Sequence, residues 1–364
     1  MKAFIASQTQ IKSWFIHLAS DAEFAFPVST EGDNYRFETP DINNLSELFS
    51  YKPSLLPPGK KIFPDNEILF NYHKDAAGHY HFSQGPAAKP QILAGVRPCD
   101  LKGIFLLDTA FSDGIKDTHY LQRRAQTAII AFNCLSPCDE RCFCAAVQSL
   151  DFQSGADIFV TALPESDNCL LEVLSSRGEQ LINSLQCITA ELPQKLKMQA
   201  LATRPSPFGK QFVLPLEQLA DTIYQQDADA VYEQYAQRCF SCGTCNLVCP
   251  SCYCFETKDE FSLAADLQQG QGQKTRQWDA CLNPGFAEVA GGHNFRAQPA
   301  ARQRHRVRRK FAYLHQRFEH IFCTGCGRCG RQCTTGIDIF DIVNDVCQAT
   351  DTLSMNKEQG VNGA

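Results

Sequence analysis

The chain lacks the features of membrane and exported proteins. None of its apolar runs approaches the roughly 20 residues that a helix needs to cross a bilayer, so we expect no membrane insertion. The N-terminus, Met1 to Gln8, has neither the long apolar segment and cleavage site of a signal peptide nor the arginine-rich composition of a transit peptide. The sequence therefore predicts a cytoplasmic protein.

The common motifs of enzyme chemistry and nucleotide binding are also missing. The sequence contains no G-x-G-x-x-G fingerprint, no P-loop and no recognisable pair of a nucleophile with a base, so no catalytic residue is predicted. The formal net charge at pH 7 is -6, and an acidic chain is repelled by the phosphates of nucleic acid. We therefore do not expect nucleic acid to be a partner.

Cysteine, in contrast, is abundant. The chain of 364 residues contains 19 cysteines. Because thiols stay reduced in the cytosol, so many cysteines in a chain without an export signal argue against a disulfide framework. They indicate metal ligation instead.

Two cysteine runs share the spacing C-x2-C-x2-C-x3-C, which wraps a loop around one face of a cubane iron–sulfur cluster. In two-cluster ferredoxins the fourth cysteine of each run ligates the cluster of the other run. The sequence therefore predicts two [4Fe-4S] clusters with exchanged ligands. The first is held by Cys239, Cys242, Cys245 and Cys333, and the second by Cys323, Cys326, Cys329 and Cys249.

Structural zinc is the alternative occupant of such runs. A zinc site needs only two C-x2-C pairs, however, and leaves the third cysteine of each run without a role. Thr334 stands where a proline commonly follows the fourth cysteine, but proline is not a ligand, so we still expect the second cluster. Arg328 and Arg331, which flank Cys329, are expected to favour the reduced, more negative cluster.

The 73 residues between Cys249 and Cys323 are too many for a compact ferredoxin. Helices are predicted at Phe311–His320 and Asp338–Cys347. We therefore expect residues 201–364 to form a mainly helical two-cluster ferredoxin-type domain.

An N-terminal α/β domain is predicted over residues 1–200. Residues 92–96 and 128–132 have the composition of buried strands, and a helix from about Leu101 to Phe111, with Asp100 at its N-cap, is expected between them. Such a βαβ unit implies a partly parallel sheet, and the fold class is α+β. Other predicted elements are strands at 157–163 and 170–174, a helix at Ile11–Leu18 and a hairpin within 67–82, with residues 1–90 otherwise irregular and only partly stranded.

Both predicted strands of the βαβ unit end close to a cysteine. Because the carboxyl ends of parallel strands meet at one edge of a sheet, a third cluster is a candidate there. Its ligands are predicted to be Cys99, Cys134, Cys142 and Cys144. Cys138 is a fifth cysteine in this region and could replace one of the four ligands. The alternatives to a third cluster are free thiols or a zinc site.

The spacer between the two runs contains three further cysteines, Cys252, Cys254 and Cys281. They are one ligand short of a tetrahedral site, so they either form an extra metal site with another ligand, act as a redox pair, or line the clusters. The basic run Arg302–Lys310 also lies here. Its expected roles are to neutralise cluster charge and to dock an acidic partner, and a solvated helix face is the alternative.

Several of these segments together resemble one protein family. They are Ala94–Leu101, Asn133–Pro137 with Cys142–Cys144, Arg238–Cys245, Trp278–Cys281, Ala290–Arg296 and Arg304–Phe311. The family comprises the beta subunit of sulfhydrogenase and the iron–sulfur subunit of anaerobic sulfite reductase, and the resemblance covers most of residues 50–345. It implies a cytoplasmic multisubunit oxidoreductase. In such a complex, electrons pass through this chain between two partner subunits. One is a flavin-containing subunit linked to NAD(P)H. The other is a catalytic subunit, either a [NiFe] hydrogenase or a sirohaem sulfite reductase.

The predicted function is therefore electron transfer by an iron–sulfur subunit that is not itself catalytic. The alternative is a self-contained sulfur or polysulfide reductase, because an incomplete site at Cys252, Cys254 and Cys281 leaves a metal position open. A third hypothesis is a cluster-bearing regulator that binds nucleic acid through Arg302–Lys310. The resemblance also supports the third cluster, since its four predicted ligands fall in matching segments.

Overall fold

The computed structural model describes residues 2–31, 34–40, 45, 48–75, 77–225, 228–261 and 270–349. The strands are β1 Lys2–Ser7, β2 Glu23–Ser29, β3 Tyr35–Glu38, β4 Asn66–Lys74, β5 Tyr80–Gln84, β6 Gln91–Val96, β7 Thr127–Phe132, β8 Ile158–Ala162, β9 Asn168–Val173, β10 Ile188–Thr189, β11 Phe255–Phe261 and β12 Gln271–Trp278. The α-helices are α1 Gln8–Asp21, α2 Gly59–Ile62, α3 Pro98–Ser112, α4 Thr118–Gln126, α5 Ser176–Ile182, α6 Pro193–Leu201, α7 Leu216–Gln225, α8 Asp229–Gln237, α9 Thr244–Leu247, α10 Pro299–Arg308, α11 Leu314–Phe318 and α12 Arg328–Arg331. A 3₁₀ turn spans Pro284–Ala287, a π-helical turn spans Arg309–Tyr313, and residues 339–349 are helical.

An eight-stranded mixed sheet forms the N-terminal part of the molecule, with strand order β10-β1-β9-β8-β7-β6-β2-β3. The four central strands β2, β6, β7 and β8 pair in parallel, and the outer pairs are antiparallel. Helix α1 covers one face through Trp14 and Phe15, and α3 covers the other through Ile104 and Leu107. Apolar helices on both faces bury the parallel strands, and the predicted α+β class with a partly parallel sheet is confirmed.

The β6–α3–β7 unit has the predicted parallel pairing, but its helix starts earlier than expected. Pro98 occupies the first turn and Arg97 is the N-cap residue. Proline is favoured at the first helical position because the N–H that it lacks would have no partner there. Asp100 is therefore not the N-cap, and the prediction was wrong on this point. It lies in the first turn, where its carboxylate is free to bind elsewhere.

The first 30 residues are more regular than predicted. Strands β1 and β2 are both part of the main sheet, and α1 between them extends beyond the predicted Ile11–Leu18. Their partners are distant in sequence, because β1 pairs with β9 and β2 pairs with β6. When a strand of six or seven residues pairs only with distant strands, its own sequence contains little information that predicts it.

A second, antiparallel sheet has the order β11-β12-β4-β5. The predicted β4–β5 hairpin is confirmed, with His73 opposite His81. The β11–β12 hairpin was not predicted, although it lies in the spacer between the two cysteine runs. Since β12 pairs with β4, this sheet joins strands from both sides of residue 200. The two-domain division remains a prediction.

Helices dominate the C-terminal part around a core of its own. Helices α7 and α8 contribute Leu219, Ile223 and Tyr232, and residues 339–349 contribute Ile342 and Val346. The predicted helices at Phe311–His320 and Asp338–Cys347 correspond to the π-helical turn with α11 and to residues 339–349. The mainly helical character of the C-terminal region is confirmed.

A buried ion-pair network anchors the second sheet. Arg276 in β12 contacts the Glu67 carboxylate of β4 through Nε at 3.0 Å and also contacts Asp117. Arg123 Nη2 lies 2.6 Å from the same carboxylate. Arg276 is 2% exposed and Glu67 is 6% exposed. Removing one member of a buried network leaves an uncompensated charge, so these residues hold the sheet to the α3–α4 region.

We expect Arg276→Met to lower the free energy of unfolding by about 3 kcal/mol, because Asp117 loses its guanidinium partner and Glu67 keeps only Arg123 and the more distant His119. Lys274→Met in the same strand is the matched control. Lys274 forms a more exposed pair with Asp259, and such pairs contribute roughly 0–1 kcal/mol. Anaerobic denaturant unfolding followed by far-UV circular dichroism measures both. Equal effects of the two substitutions would contradict the anchoring role.

Candidate metal centres

The two cysteine runs adopt the same local conformation. In each, a glycine with positive φ precedes a four-residue helix, Gly243 (φ 75°) before α9 and Gly327 (φ 73°) before α12. A Cβ atom on Gly243 would lie 2.5 Å from Ala280 Cβ, and one on Gly327 would lie 2.9 Å from the Arg141 carbonyl. Glycine is therefore required at both positions for conformation and for space.

Each run contributes three cysteines to one cavity and its fourth cysteine to the other. The surface cavity is lined by Cys239, Cys242, Cys245 and Cys333. The central cavity is lined by Cys249, Cys323, Cys326 and Cys329, with Cys245 at its border. The structure thus brings together the two predicted sets of four, including the exchange of the fourth cysteines. Four thiols around one cavity match the donor set of a [4Fe-4S] cluster.

The two cavities differ in their access to solvent. Cys242 of the surface cavity is exposed, and the neighbouring Phe240 is 74% exposed. Cys323 of the central cavity is 7% exposed. Cys245 lines both cavities, so the two sites share a wall.

The five N-terminal cysteines also come together. Cys99 lies in the first turn of α3, Cys134 follows β7, and both pack with Cys144 in one buried cluster. The thiol of Cys138 is hydrogen-bonded to that of Cys134, and the thiol of Cys142 to that of Cys144. Convergence at the carboxyl ends of the strands was predicted, but Cys138 lies in the same group as the other four. We call these five residues the N-terminal thiol group.

The N-terminal thiol group packs directly on the second cysteine run. Cys326, which lines the central cavity, contacts the buried cluster of Cys99, Cys134 and Cys144. The backbone N–H of Phe143 donates to the Gly325 carbonyl at 2.8 Å. A Cβ atom on Gly325 (φ 66°) would lie 2.5 Å from the Phe143 oxygen, so the loops touch through their backbones.

A buried ion pair joins the same two regions. Arg328 Nη1 and Nη2 donate to the two oxygens of Asp100 at 2.5 and 2.8 Å, and Nε donates to the Ser54 carbonyl at 2.7 Å. Both Arg328 and Asp100 are at most 2% exposed. Arg331 is similarly paired with Asp139. The charges of both arginines are therefore compensated by carboxylates, which weakens their expected effect on the cluster.

Three cations of the predicted basic run lie on one face of a continuous helical segment and are buried. Arg302, Arg306 and Lys310 follow the i, i+4, i+8 spacing, and each is at most 5% exposed. Lys310 Nζ donates to Ser251 Oγ at 2.9 Å, and Arg302 Nη2 donates to Ser241 Oγ at 3.1 Å. We call these three residues the basic stripe. The solvated-face alternative therefore does not hold for them.

Arg306 has the most central position in the basic stripe. It lines the surface and central cavities and also the cavity of the three spacer cysteines. Its Nε is buried and has no hydrogen-bond partner among the described residues. Burial alone would lower the pKa of Arg306, but the thiolates around it, Cys245 and Cys329 first, raise it above its usual value. A buried cation faced by sulfur fits anionic clusters in these cavities.

The predictions identified the basic run but not this buried stripe. A signal was present in the sequence, because Arg302, Arg306 and Lys310 recur at every fourth position, which is helical spacing, although no helix was predicted there. The three spacer cysteines likewise meet in one cavity, which the unpredicted β11–β12 hairpin closes.

Other features of the described residues do not suggest a different site. A cavity of about 560 Å³ lies on the second sheet beside β11 and β12, and no cysteine occurs among the described residues of its lining. In the described ranges no helix is long and apolar enough to cross a bilayer. Within the same ranges, no three His, Cys, Asp or Glu side chains are arranged around a single metal ion.

Comparison with known proteins supports [4Fe-4S] clusters in the region of the cysteine runs. Residues 238–337 match the family model described as a 4Fe-4S dicluster domain. The protein named sulfhydrogenase 2 subunit beta of Pyrococcus furiosus is 30% identical to this chain over 318 residues. The aligned region covers 86% of this chain and 89% of that protein. No solved structure matches the chain.

We expect Gly325→Ala to disrupt the N-terminal thiol group, because the added methyl collides with the backbone of Phe143 and Cys144. Gly336→Ala is the matched control, since Gly336 also has a positive φ (69°) but its added methyl meets nothing within 4 Å. The control adds only the backbone strain, about 1 kcal/mol. Iron per chain and EPR of the reduced protein should change in the first variant alone. Equal loss of iron in the two variants would mean that the backbone contact at Gly325 is not important for the N-terminal thiol group.

We expect Arg306→Met to lower the reduction potentials of the clusters in the surface and central cavities. Loss of a buried positive charge disfavours the more negative reduced state, by on the order of 100 mV for a charge about 6 Å away at an effective dielectric constant of 20. Arg304→Met on the same helix is the control, because Arg304 is partly exposed and paired with Asp229. EPR-monitored redox titration compares the two variants. Unshifted potentials in Arg306→Met would contradict the assigned role.

Proposed function

The chain belongs to the family of the sulfhydrogenase beta subunit, and from this premise we propose that it relays electrons between two partner subunits of a cytoplasmic oxidoreductase complex. It is an iron–sulfur electron-transfer subunit. One proposed partner is a flavin subunit linked to NAD(P)H. The other is a catalytic subunit, for which the name of the Pyrococcus furiosus relative favours a sulfhydrogenase over a sulfite reductase.

The observation that carries this proposal is the sharing of cysteines between neighbouring sites. Cys245 lines both the surface and the central cavity, and Cys326 lines the central cavity while it packs on the N-terminal thiol group. Three cysteine sites are therefore contiguous. We propose two [4Fe-4S] clusters in the cavities and a third at the N-terminal thiol group, which when bound supply one-electron transfer.

The ligand assignment proposed here follows the cavities. The surface cavity would use Cys239, Cys242, Cys245 and Cys333, the central cavity Cys249, Cys323, Cys326 and Cys329, and the N-terminal group Cys99, Cys134, Cys142 and Cys144, with Cys138 as the alternative to one of the last four. The basic stripe offsets the negative charge of the thiolates. The surrounding apolar core keeps water away from the central sulfurs.

The row of sites approaches the protein surface at both ends. At one end Cys242 is exposed beside Phe240. At the other end the loop of residues 135–141 carries the half-buried Cys138 and the exposed Glu140. A relay needs two such ends, because donor and acceptor subunits must each approach within reach of a cluster.

The competing proposal is a sulfur or polysulfide reductase that works alone. The chain, purified anaerobically without partners, is assayed with reduced viologen and polysulfide. Under the relay proposal it shows no turnover, and NAD(P)H reduces its iron–sulfur chromophore only after the flavin subunit is added. Turnover by the isolated chain would overturn the relay. Apart from any iron bound at Cys252, Cys254 and Cys281, about twelve irons per chain would support three clusters, and about eight would support two.

We expect Cys242→Ser to block electron transfer at the surface cavity while the N-terminal site keeps its iron. In the complex, NAD(P)H-dependent turnover should fall to background, and dithionite should still reduce the remaining clusters. Cys187→Ser is the control, because Cys187 is half-buried and remote in sequence from both runs. EPR of the reduced protein follows the clusters. Wild-type turnover by Cys242→Ser would exclude this cavity from the path.

A further inference from the structure

Three cysteines of the spacer form a site that the relay does not use. Cys254 directly precedes β11, and Cys281 follows β12 by three residues. Pairing of Phe255 with Trp278 closes the hairpin and brings its two ends together. The Asp279 N–H donates to the Cys254 carbonyl at 3.0 Å, and the thiols of Cys254 and Cys281 are hydrogen-bonded to each other. The paired strands therefore position two of the three sulfurs.

The third sulfur is held from the opposite side by the first cysteine run. Asn246 in α9 is 2% exposed, and its Nδ2 lies 3.5 Å from Cys252 Sγ and 3.3 Å from Cys281 Sγ. An amide that donates to two sulfurs fixes their orientation. Cys252, Cys254 and Cys281 thus line one cavity, the tricysteine cavity, with Asn246 and Ser251 in its wall.

The tricysteine cavity is surrounded by positive charge. Arg306, Arg309 and Lys310 all line it, and neither histidine nor carboxylate occurs among the described residues of its lining. The buried Nε of Arg306, which has no hydrogen-bond partner in the described chain, adds an unsatisfied donor to this wall. Arg309 lies over the ring of Tyr253 at 4.8 Å, which fixes it beside the sulfurs. Three thiols, two of them buried, together with three cations indicate an anionic sulfur-ligated group.

We propose that the tricysteine cavity holds an additional [4Fe-4S] cluster, bound by Cys252, Cys254 and Cys281, with its fourth iron open to water or a small anion. A structural zinc ion requires four protein ligands, whereas this cavity offers three sulfurs. A cubane cluster tolerates an iron without a protein ligand. This site adds to the clusters of the proposed function and does not depend on the relay.

The cavity's position connects the additional cluster to the others. The Cys252 thiol is hydrogen-bonded to Cys249, which lines the central cavity. Arg306 and Lys310 line both the central and the tricysteine cavities. The additional cluster would therefore exchange electrons with the central one and form a branch beside the row of three sites.

The test is iron and acid-labile sulfide per chain in the full-length protein purified anaerobically with its complex. We expect Cys281→Ser and Cys254→Ser each to lose about four irons and four sulfides, and Cys187→Ser to lose none. Zinc is counted in the same samples. Unchanged iron in the two variants, the loss of one zinc per chain, or a Cys254–Cys281 disulfide in the native protein would overturn the proposal.

A measurement on the unaltered protein avoids any folding defect of the variants. One-electron oxidation by ferricyanide should release one Fe²⁺ per chain from the iron without a cysteine and leave a [3Fe-4S]⁺ cluster, visible by EPR. Added Fe²⁺ and a reductant should restore the original cluster. Release of no iron before general loss of the chromophore would contradict an open iron site. The iron that stays bound after this treatment counts the clusters of the relay. The proposal of an additional cluster and the proposal of the relay are therefore tested separately.

Discussion

Burial of positive charge among thiols is the constraint on which this molecule depends. Arg302, Arg306 and Lys310 are removed from water on one helix face, and Arg306 has no carboxylate partner in any of the described contacts. An unpaired buried cation is strongly unfavourable, and it becomes acceptable only opposite negative charge. Thiolates and their clusters supply that charge. We therefore expect folding of the C-terminal region to be coupled to cluster insertion, as in other metal-dependent folds.

A second constraint is the rigid contact between the sheet region and the cysteine runs. Gly325 lets two backbones touch, Arg328 and Asp100 form a buried pair, and Gly103 of α3 packs closely on Pro250. None of these contacts involves a long flexible side chain in water. Because electron transfer is sensitive to the spacing of its centres, an interface of backbone contacts and paired charges suits a relay better than a mobile linker would.

Sequence reasoning succeeded where the signal was local. The C-x2-C-x2-C-x3-C spacing defined both cavities and the exchange of Cys249 and Cys333, and strand ends led to Cys99 and Cys134. It failed where the partner was distant. Strands β1 and β2 pair with strands that are distant in sequence, and so does β12 with β4. Arg97 is the N-cap of α3 in place of Asp100, whose carboxylate instead pairs with Arg328, more than 200 positions away. For the same reason the role of the basic stripe was not predicted. The spacing of its three residues can be read from the sequence, but the cysteines that surround them cannot.

Exchange of the fourth cysteines has a topological consequence in the proposed ligation. Each cluster would bind one residue from the opposite end of the spacer, so the two clusters close overlapping loops of about 75 to 95 residues. In the chain-entropy view of a cross-link, closing one such loop removes about 4 kcal/mol of freedom from the unfolded chain. The clusters would then act as two nested staples around the β11–β12 hairpin and the basic helix, with the loop of residues 249–323 inside the loop of residues 245–333. Oxidative loss of one staple would loosen the segment that positions the other, so damage by oxygen should spread cooperatively through the domain and not stop at a single site.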